Sequence, residues 1–279
     1  MPGRAATRSL RRALRRRFGL WPLHELRNAV LGWPRALATR RLESGEVRRL
    51  GSVPVPAAKV TTVMPTYRRP ESLVEAVRSA LAQDVTDHTV IVVDDGGGLP
   101  ELPSDPRLVA VSLRRNTACL GMVRNVGIRL ARSPYVAFLD DDNTWRPDHL
   151  SVGLAALETG ADVVYTAVQR SLPDGTALDT LSTPFDRRAM ADSSYVDANS
   201  IVVRNGPRVR FSRLPRRKTT LPKEDWEFVW RLSRRLRTRH VPVPTVRYVA
   251  NPSSYYTTWR DLPEASTDGM VSEAPGPAR

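Results

Sequence analysis

Between Val60 and Val168, short, mostly apolar runs alternate with stretches whose apolar positions recur every three or four residues. The runs are Val60–Met64, Val90–Val93, Leu108–Leu113, Tyr135–Leu139 and Asp162–Val168. Continuous apolar segments of this length read as strands buried on both faces, which is the habit of parallel sheets. The stretches between them read as helices. One starts at Pro70 and carries Leu73, Val74, Val77, Ala80 and Leu81 on one face; others span Gly121 to Ala131 and about Arg146 to Thr159. The pattern predicts an α/β chain, Rossmann-like, with a mostly parallel central sheet flanked by helices. Ligands of such sheets bind outside the carboxyl ends of the strands.

Beyond Gln169 the pattern loosens. A Pro173-Asp174-Gly175 turn and a loop to Tyr195 lead to a strand at Ala198–Val203, a helix from Glu224 to about Arg237 and a strand near Thr245–Val249. An aromatic segment with Tyr255, Tyr256 and Trp259 ends the body, and the Pro-, Glu- and Ser-rich stretch beyond Asp261 reads as disordered. At the other end, Ala6, Leu10, Ala13, Leu14, Phe18 and Trp21 fall at helical spacings with arginines on other faces. A second helical stretch, Leu23 to Leu31, is expected to stop near Trp33-Pro34, and Ser52–Pro56 to act as a linker. The expected organisation is a helical basic N-terminal extension over 1–56, a nucleotide-binding half over 57–168, an acceptor-binding half over 169–261 and a tail over 262–279.

Charge sharpens this division. The net charge is +14, of which residues 1–50 supply +10 through thirteen Arg against Glu25, Glu43 and Glu46. A basic amphipathic arm over residues 5–33 suits an anionic membrane surface; the plainer alternative is a solvated arm or a helix packed on the body. No run of about 18 apolar residues occurs, so no spanning helix is expected. A leader for export is not expected either, which places the chain in the cytoplasm or at the inner membrane face. Cys119 is the only cysteine, which excludes an intrachain disulfide. Nucleic acid is not expected as a partner, because the body is nearly balanced and no nucleic-acid module accompanies the arm.

Acidic residues gather at the predicted strand ends. Asp140, Asp141 and Asp142 close the fourth run; adjacent carboxylates repel, and a divalent cation with all-oxygen ligands, Mg²⁺ or Mn²⁺, would relieve them. The alternative is a solvated acidic turn. Asp94 and Asp95 close the second run before Gly96–Gly98, where a carboxylate could accept from a base or ribose, or simply end a strand. Glu224 and Asp225 open a helix, as a general base or as complements to its dipole.

Together these segments resemble glycosyltransferase family 2, whose catalytic domain has the GT-A fold. Pro65, Thr66, Tyr67 and Arg69 sit in a segment similar to the family's opening strand and loop around the nucleoside. Val92-Val93-Asp94-Asp95-Gly96 is similar to its second nucleotide strand, with Asp95 against uracil or thymine. Arg124, in Gly121-Met122-Val123-Arg124-Asn125, matches an Arg that holds base and phosphates. Phe138-Leu139-Asp140-Asp141-Asp142 is similar to the Asp-x-Asp metal motif, which makes Asp140 and Asp142 the metal ligands and Asp141 a nucleotide contact. Glu224-Asp225-Trp226 is similar to the motif whose Asp is the catalytic base. The resemblance implies inverting, metal-assisted transfer from a nucleotide-diphosphate sugar to a hydroxyl of a glycan, lipid-linked or small-molecule acceptor. Many relatives carry a His near the end of the domain, in a segment resembling residues 248–254, where Asn251 stands in this sequence, and neither His149 nor His240 is an evident substitute. Nucleotidyl transfer and a catalytically idle nucleotide-sugar module are the alternatives; a Walker-type phosphate loop is absent.

Overall fold

The computed structural model describes residues 17–216 and 220–250. The expected helical positions at 5–16, Asn251, the aromatic segment and the tail lie outside the described residues. Strands β1 (Val60–Thr66), β2 (His88–Asp94), β3 (Leu108–Ser112) and β4 (Tyr135–Phe138) form the parallel half of one sheet. The sheet continues through β8 (Ile201–Arg204), β6 (Val163–Ser171), β9 (Thr238–Val249) and β5 (Asn143–Trp145), giving the order β3-β2-β1-β4-β8-β6-β9-β5, with β7 (Ala177–Leu181) beside β6. Of these later pairs only β6 with β9 is parallel.

Every residue of β1 and β2 is buried, the reason their sequence shows runs rather than alternation. Helices α2 (Pro70–Leu81) and α4 (His149–Glu158) cover one face, packing on Met64, Val92 and Val164. On the other face lie α3 (Leu120–Leu130) and α6 (Glu224–Leu232), which cover Val63, Phe138 and Tyr165. Phe138 and Phe228 are fully buried and each is worth about 1.5–3 kcal/mol of transfer free energy. At Gly127 a Cβ would lie 2.4 Å from a Val63 methyl, so only glycine lets α3 settle this close to β1.

Several expectations are corrected. The first helix, α1 (Leu20–Leu50), runs through Pro34 for 31 residues instead of stopping there. Its packing decides this: Glu43 is completely buried, bonded to Arg213 and Asn125, which holds the helix across the missing proline donor. The 169–195 loop contains β7 and a one-turn helix, α5 (Arg187–Met190). α6 ends at Leu232, short of Arg237. β5 has no apolar run to announce it and exists through pairing of Asn143 with Tyr248. β9 begins seven residues earlier than expected, accommodating Pro244 where its register with β6 shifts.

Candidate active site

One cavity, about 1040 Å³, opens at the carboxyl ends of β1, β2 and β4. Pro65, Thr66, Tyr67 and Arg69 line it from the end of β1, and Asp95 from the end of β2. Arg124 enters from α3, Asp140, Asp141 and Asp142 from the turn after β4, and Asp225 from the start of α6. All nine expected nucleotide and metal positions other than Asp94 therefore share this wall with Asp225, the expected base. Asp94 stands apart: its carboxylate accepts from the N–H groups of Gly97 and Gly98, at 2.8 and 3.0 Å, and shapes the turn. Gly97 must be glycine there, since a Cβ would come within 2.9 Å of Tyr67 and Arg68 side-chain atoms.

The acidic turn is already paired with arginine. Arg124 Nη2 donates to Asp140 Oδ1 at 2.5 Å, while Arg69 bonds both Asp141, at 3.2 Å, and Asp142. Thr66 Oγ1 also donates to Asp141, at 2.7 Å. Burial pushes the Asp141 carboxyl up to about 6 despite these bonds. Burial also raises Asp142, with Asp140 adding to the effect and Arg69 opposing it. Relief of like-charge repulsion, assigned from sequence to a cation, is thus shared by Arg69 and Arg124. Asp140 and Asp142 remain hard oxygen donors on the cavity wall, suited to Mg²⁺ or Mn²⁺. Among the described residues no group of three His, Cys, Asp or Glu is arranged to hold an ion unaided. The residues fit a two-carboxylate site completed by phosphate and water oxygens, not a closed protein cage.

Asp95 accepts from Thr117 N at 2.9 Å, Thr117 Oγ1 at 2.8 Å and Ala118 N at 3.1 Å, so it builds the 117–118 loop as well as lining the cavity. Both Thr117 bonds fall on Oδ1, while Oδ2 accepts only from Ala118, which leaves Oδ2 a lone pair for a ligand donor. Arg124 is 2% exposed; burial alone would push its guanidinium down, but Asp140 and Glu224 more than offset it. Its Nε, fully buried, has no hydrogen-bond partner. Asp225 Oδ1 accepts from Trp226 N at 2.8 Å. Burial, then the neighbouring carboxylates of Glu224 and Asp197, raise the Asp225 carboxyl well above the ordinary range. Such a group suits proton abstraction near neutral pH.

Several lining residues carried no signal in the sequence. Asp197 caps the 3-10 turn Ala198–Ser200 and is pushed up to about 6 by burial and then by Asp140. Asn199 fastens the acidic turn by accepting from Asp140 N at 2.5 Å. Leu20, Trp21 and His24 of α1 form part of the wall, beside Asp192, Ser193 and Lys223. α1 is moored there by Leu20 N to Asp192 at 2.8 Å, Trp21 N to Ala191 O at 3.0 Å and a two-point Glu25–Arg216 ion pair. His149 and His240 lie outside this wall. His149 stacks on Trp145 and bonds Thr245, and burial pushes it down to about 3, a neutral packing residue.

Residues 61–219 match the family model described as Glycosyl transferase family 2. The chain belongs to this family. Over 96 residues it is 42% identical to the succinoglycan biosynthesis protein ExoO of Rhizobium meliloti (strain 1021), covering 33% of this chain and 27% of ExoO. The fold is similar to that of S. aureus TarS 1-349 in complex with UDP-GlcNAc, with TM-score 0.57 and 18% identity over 72% of this chain and 61% of that one. It is also similar to the mannosyltransferase PcManGT of Pyrobaculum calidifontis in complex with GDP-Man and Mn²⁺, with TM-score 0.50 and 14% identity over 82% and 69% of the two chains. These structural likenesses establish the GT-A architecture. The chain spans about a quarter of the length of ExoO. The family match ends before Asp225 and starts after Trp21, so the family 2 domain's cavity borrows wall from both flanks.

Proposed function

We propose that this family 2 domain transfers a glycosyl group from a nucleotide-diphosphate sugar to an acceptor hydroxyl, with inversion, and that Asp225 is its base. The observation that carries this reading is the convergence of Asp95, Asp140, Asp142 and Asp225 on one cavity, with Asp225 held above the usual carboxylate range. The nucleoside would lie along Pro65, Thr66 and Tyr67, its base toward Asp95, which favours a pyrimidine donor, UDP or dTDP. Arg69, Asp141 and Arg124 would border the diphosphate. Asp225 accepts the proton of the acceptor hydroxyl as its oxygen bonds to the anomeric carbon; the bond from that carbon to the diphosphate oxygen breaks, releasing nucleoside diphosphate.

Asp140 and Asp142 would hold Mg²⁺ or Mn²⁺, which when bound supplies positive charge to the leaving diphosphate. Fixed charges aimed at the developing anion are the largest lever available to such a site. The ExoO likeness supports a growing polysaccharide as acceptor, and the arm's charge supports work at an anionic membrane face. The test is incubation with UDP- and dTDP-sugars, glycan acceptors and Mn²⁺. Release of nucleoside diphosphate with glycosylated acceptor is the expected result. Release of pyrophosphate would instead establish nucleotidyl transfer, and binding without turnover an idle module.

A further inference from the structure

A second hollow, about 680 Å³, lies away from the catalytic cavity and shares no wall residue with it. Eight arginines line it, contributed by α1, α3, the 207–213 segment and the end of α6. Arg129 and Arg213 pair with Glu43, and Arg231 pairs with Glu227. Arg40, Arg208, Arg210, Arg234 and Arg235 have no carboxylate within ion-pair distance among the described residues. Burial pushes the Arg210 guanidinium down, and Arg129 and Arg213 push it further, against the pull of Glu43. So much uncompensated positive charge in a concave site calls for anionic oxygens, most of all phosphates.

The hollow does not end at its rim. Arg40 and Ser44 of α1 also line a shallower neighbouring hollow with Leu37, Arg41 and Arg48. Leu26, Val30, Trp33, Leu37, Arg41 and Arg48 keep helical spacing and so occupy one face of α1. Leu26, Val30 and Trp33 are each 62% exposed. The acids of the helix are turned away from this face: Glu25 pairs with Arg216, Glu43 with Arg213 and Glu46 with Arg49. What faces out is an apolar ridge running into cationic ground, the composition of an interfacial helix.

We infer that the outer face of α1 and the arginine hollow together form the surface by which this protein docks on an anionic phospholipid bilayer. The ridge of Leu26, Val30 and Trp33 enters the interface while the hollow takes lipid phosphates. The inference deepens the membrane part of the reading above, moving it from the arm at 5–33 to a built face of the folded body. Arginine beside apolar surface gains from both buried area and headgroup charge, so affinity should rise with anionic lipid and fall with salt.

The test is co-sedimentation of the full chain with phosphatidylcholine vesicles and with phosphatidylglycerol-rich vesicles. Binding to the second and not the first is expected. The Arg208→Glu/Arg234→Glu/Arg235→Glu variant should lose at least about tenfold in partitioning, from three charge reversals at the surface. Trp33→Ser/Leu37→Ser should weaken binding in the same assay. Arg11→Glu/Arg12→Glu/Arg15→Glu, which alters the arm alone, should retain most of it. Circular dichroism and UDP-dependent thermal shift show that each variant is folded, and they report on the donor site separately from the vesicles. Binding lost in the arm variant but kept in the hollow and ridge variants would overturn the inference. Equal binding to both vesicle types, or preference for single-stranded nucleic acid at the same salt, would overturn it too.

Discussion

Arg124 Nη1 lies 3.5 Å from Glu224 Oε1, an ion pair between side chains that are 2% and 8% exposed. It joins α3, which packs on β1 and β2, to the residue beside the proposed base. The same guanidinium donates to Asp140, so one cation ties the acidic turn to the start of α6. Removing it leaves buried carboxylates facing one another. Arg124→Ala is expected to destabilise the fold by about 3–5 kcal/mol, the usual effect of breaking a buried pair. Chemical denaturation measures this; a loss below about 1 kcal/mol would show the pair to be incidental.

Asp225→Asn should leave nucleotide-diphosphate binding within a few-fold of wild type and lower transfer by roughly 10²–10⁴, the range of general-base contributions. Titration calorimetry and product release read the two effects independently. Turnover near the wild-type rate in this variant would assign the base elsewhere.

The pH dependence follows from the same carboxyl. As the proposed base, Asp225 acts as the carboxylate, and its proton affinity is raised by burial and by Glu224 and Asp197. Activity should therefore fall as pH drops through a value well above the ordinary Asp range near 4. Stability moves the other way. A carboxyl raised in the folded state stabilises below its unfolded value, and that stability is lost as pH rises through the folded value. Asp225→Asn should thus melt higher than wild type at neutral pH, with the gap closing toward pH 4. A gap that widens on acidification would contradict the assignment.

Asp142→Ala should abolish any Mn²⁺-dependent increment in thermal stabilisation by UDP while sparing the metal-free increment. A thermal-shift series with and without Mn²⁺ measures it. Because Arg69 also bonds Asp141, its side chain keeps a partner in this variant and the apo protein should remain folded.

Trp21→Ala should raise KM for the glycan acceptor with little change for the nucleotide sugar, because α1 forms the wall beside Asp192 and Lys223 rather than the nucleotide strands. Trp21 packs 5.6 Å from Trp226, so Trp21→Phe is expected to recover most of the loss. Steady-state kinetics with each substrate varied in turn separate the two effects; an equal rise in both KM values would mean that the helix only supports the fold.

The sheet and its helices were legible in the order of residues because both faces of β1 and β2 are buried, which forces mostly apolar runs in place of polar alternation. Acidic residues at strand ends were legible for a related reason: a chain leaving a buried strand must become polar where it meets water, and the carboxyl edge is where an α/β sheet opens. β5 and the full length of β9 were hidden, since each depends on the other for its hydrogen bonds. What the order of residues determined by itself was the family, the candidate carboxylates and the sheet that presents them. Only the folded chain decided that Asp94 shapes a turn, that arginines neutralise the acidic turn, and that α1 passes Pro34 to supply Trp21 to the cavity. Asp94 binds only three and four residues ahead, but nothing in its spacing tells a turn from a ligand contact. The other two outcomes rest on contacts between residues far apart in sequence, such as Arg69 with Asp142, Glu43 with Arg213 and Glu25 with Arg216, and no local spacing records them.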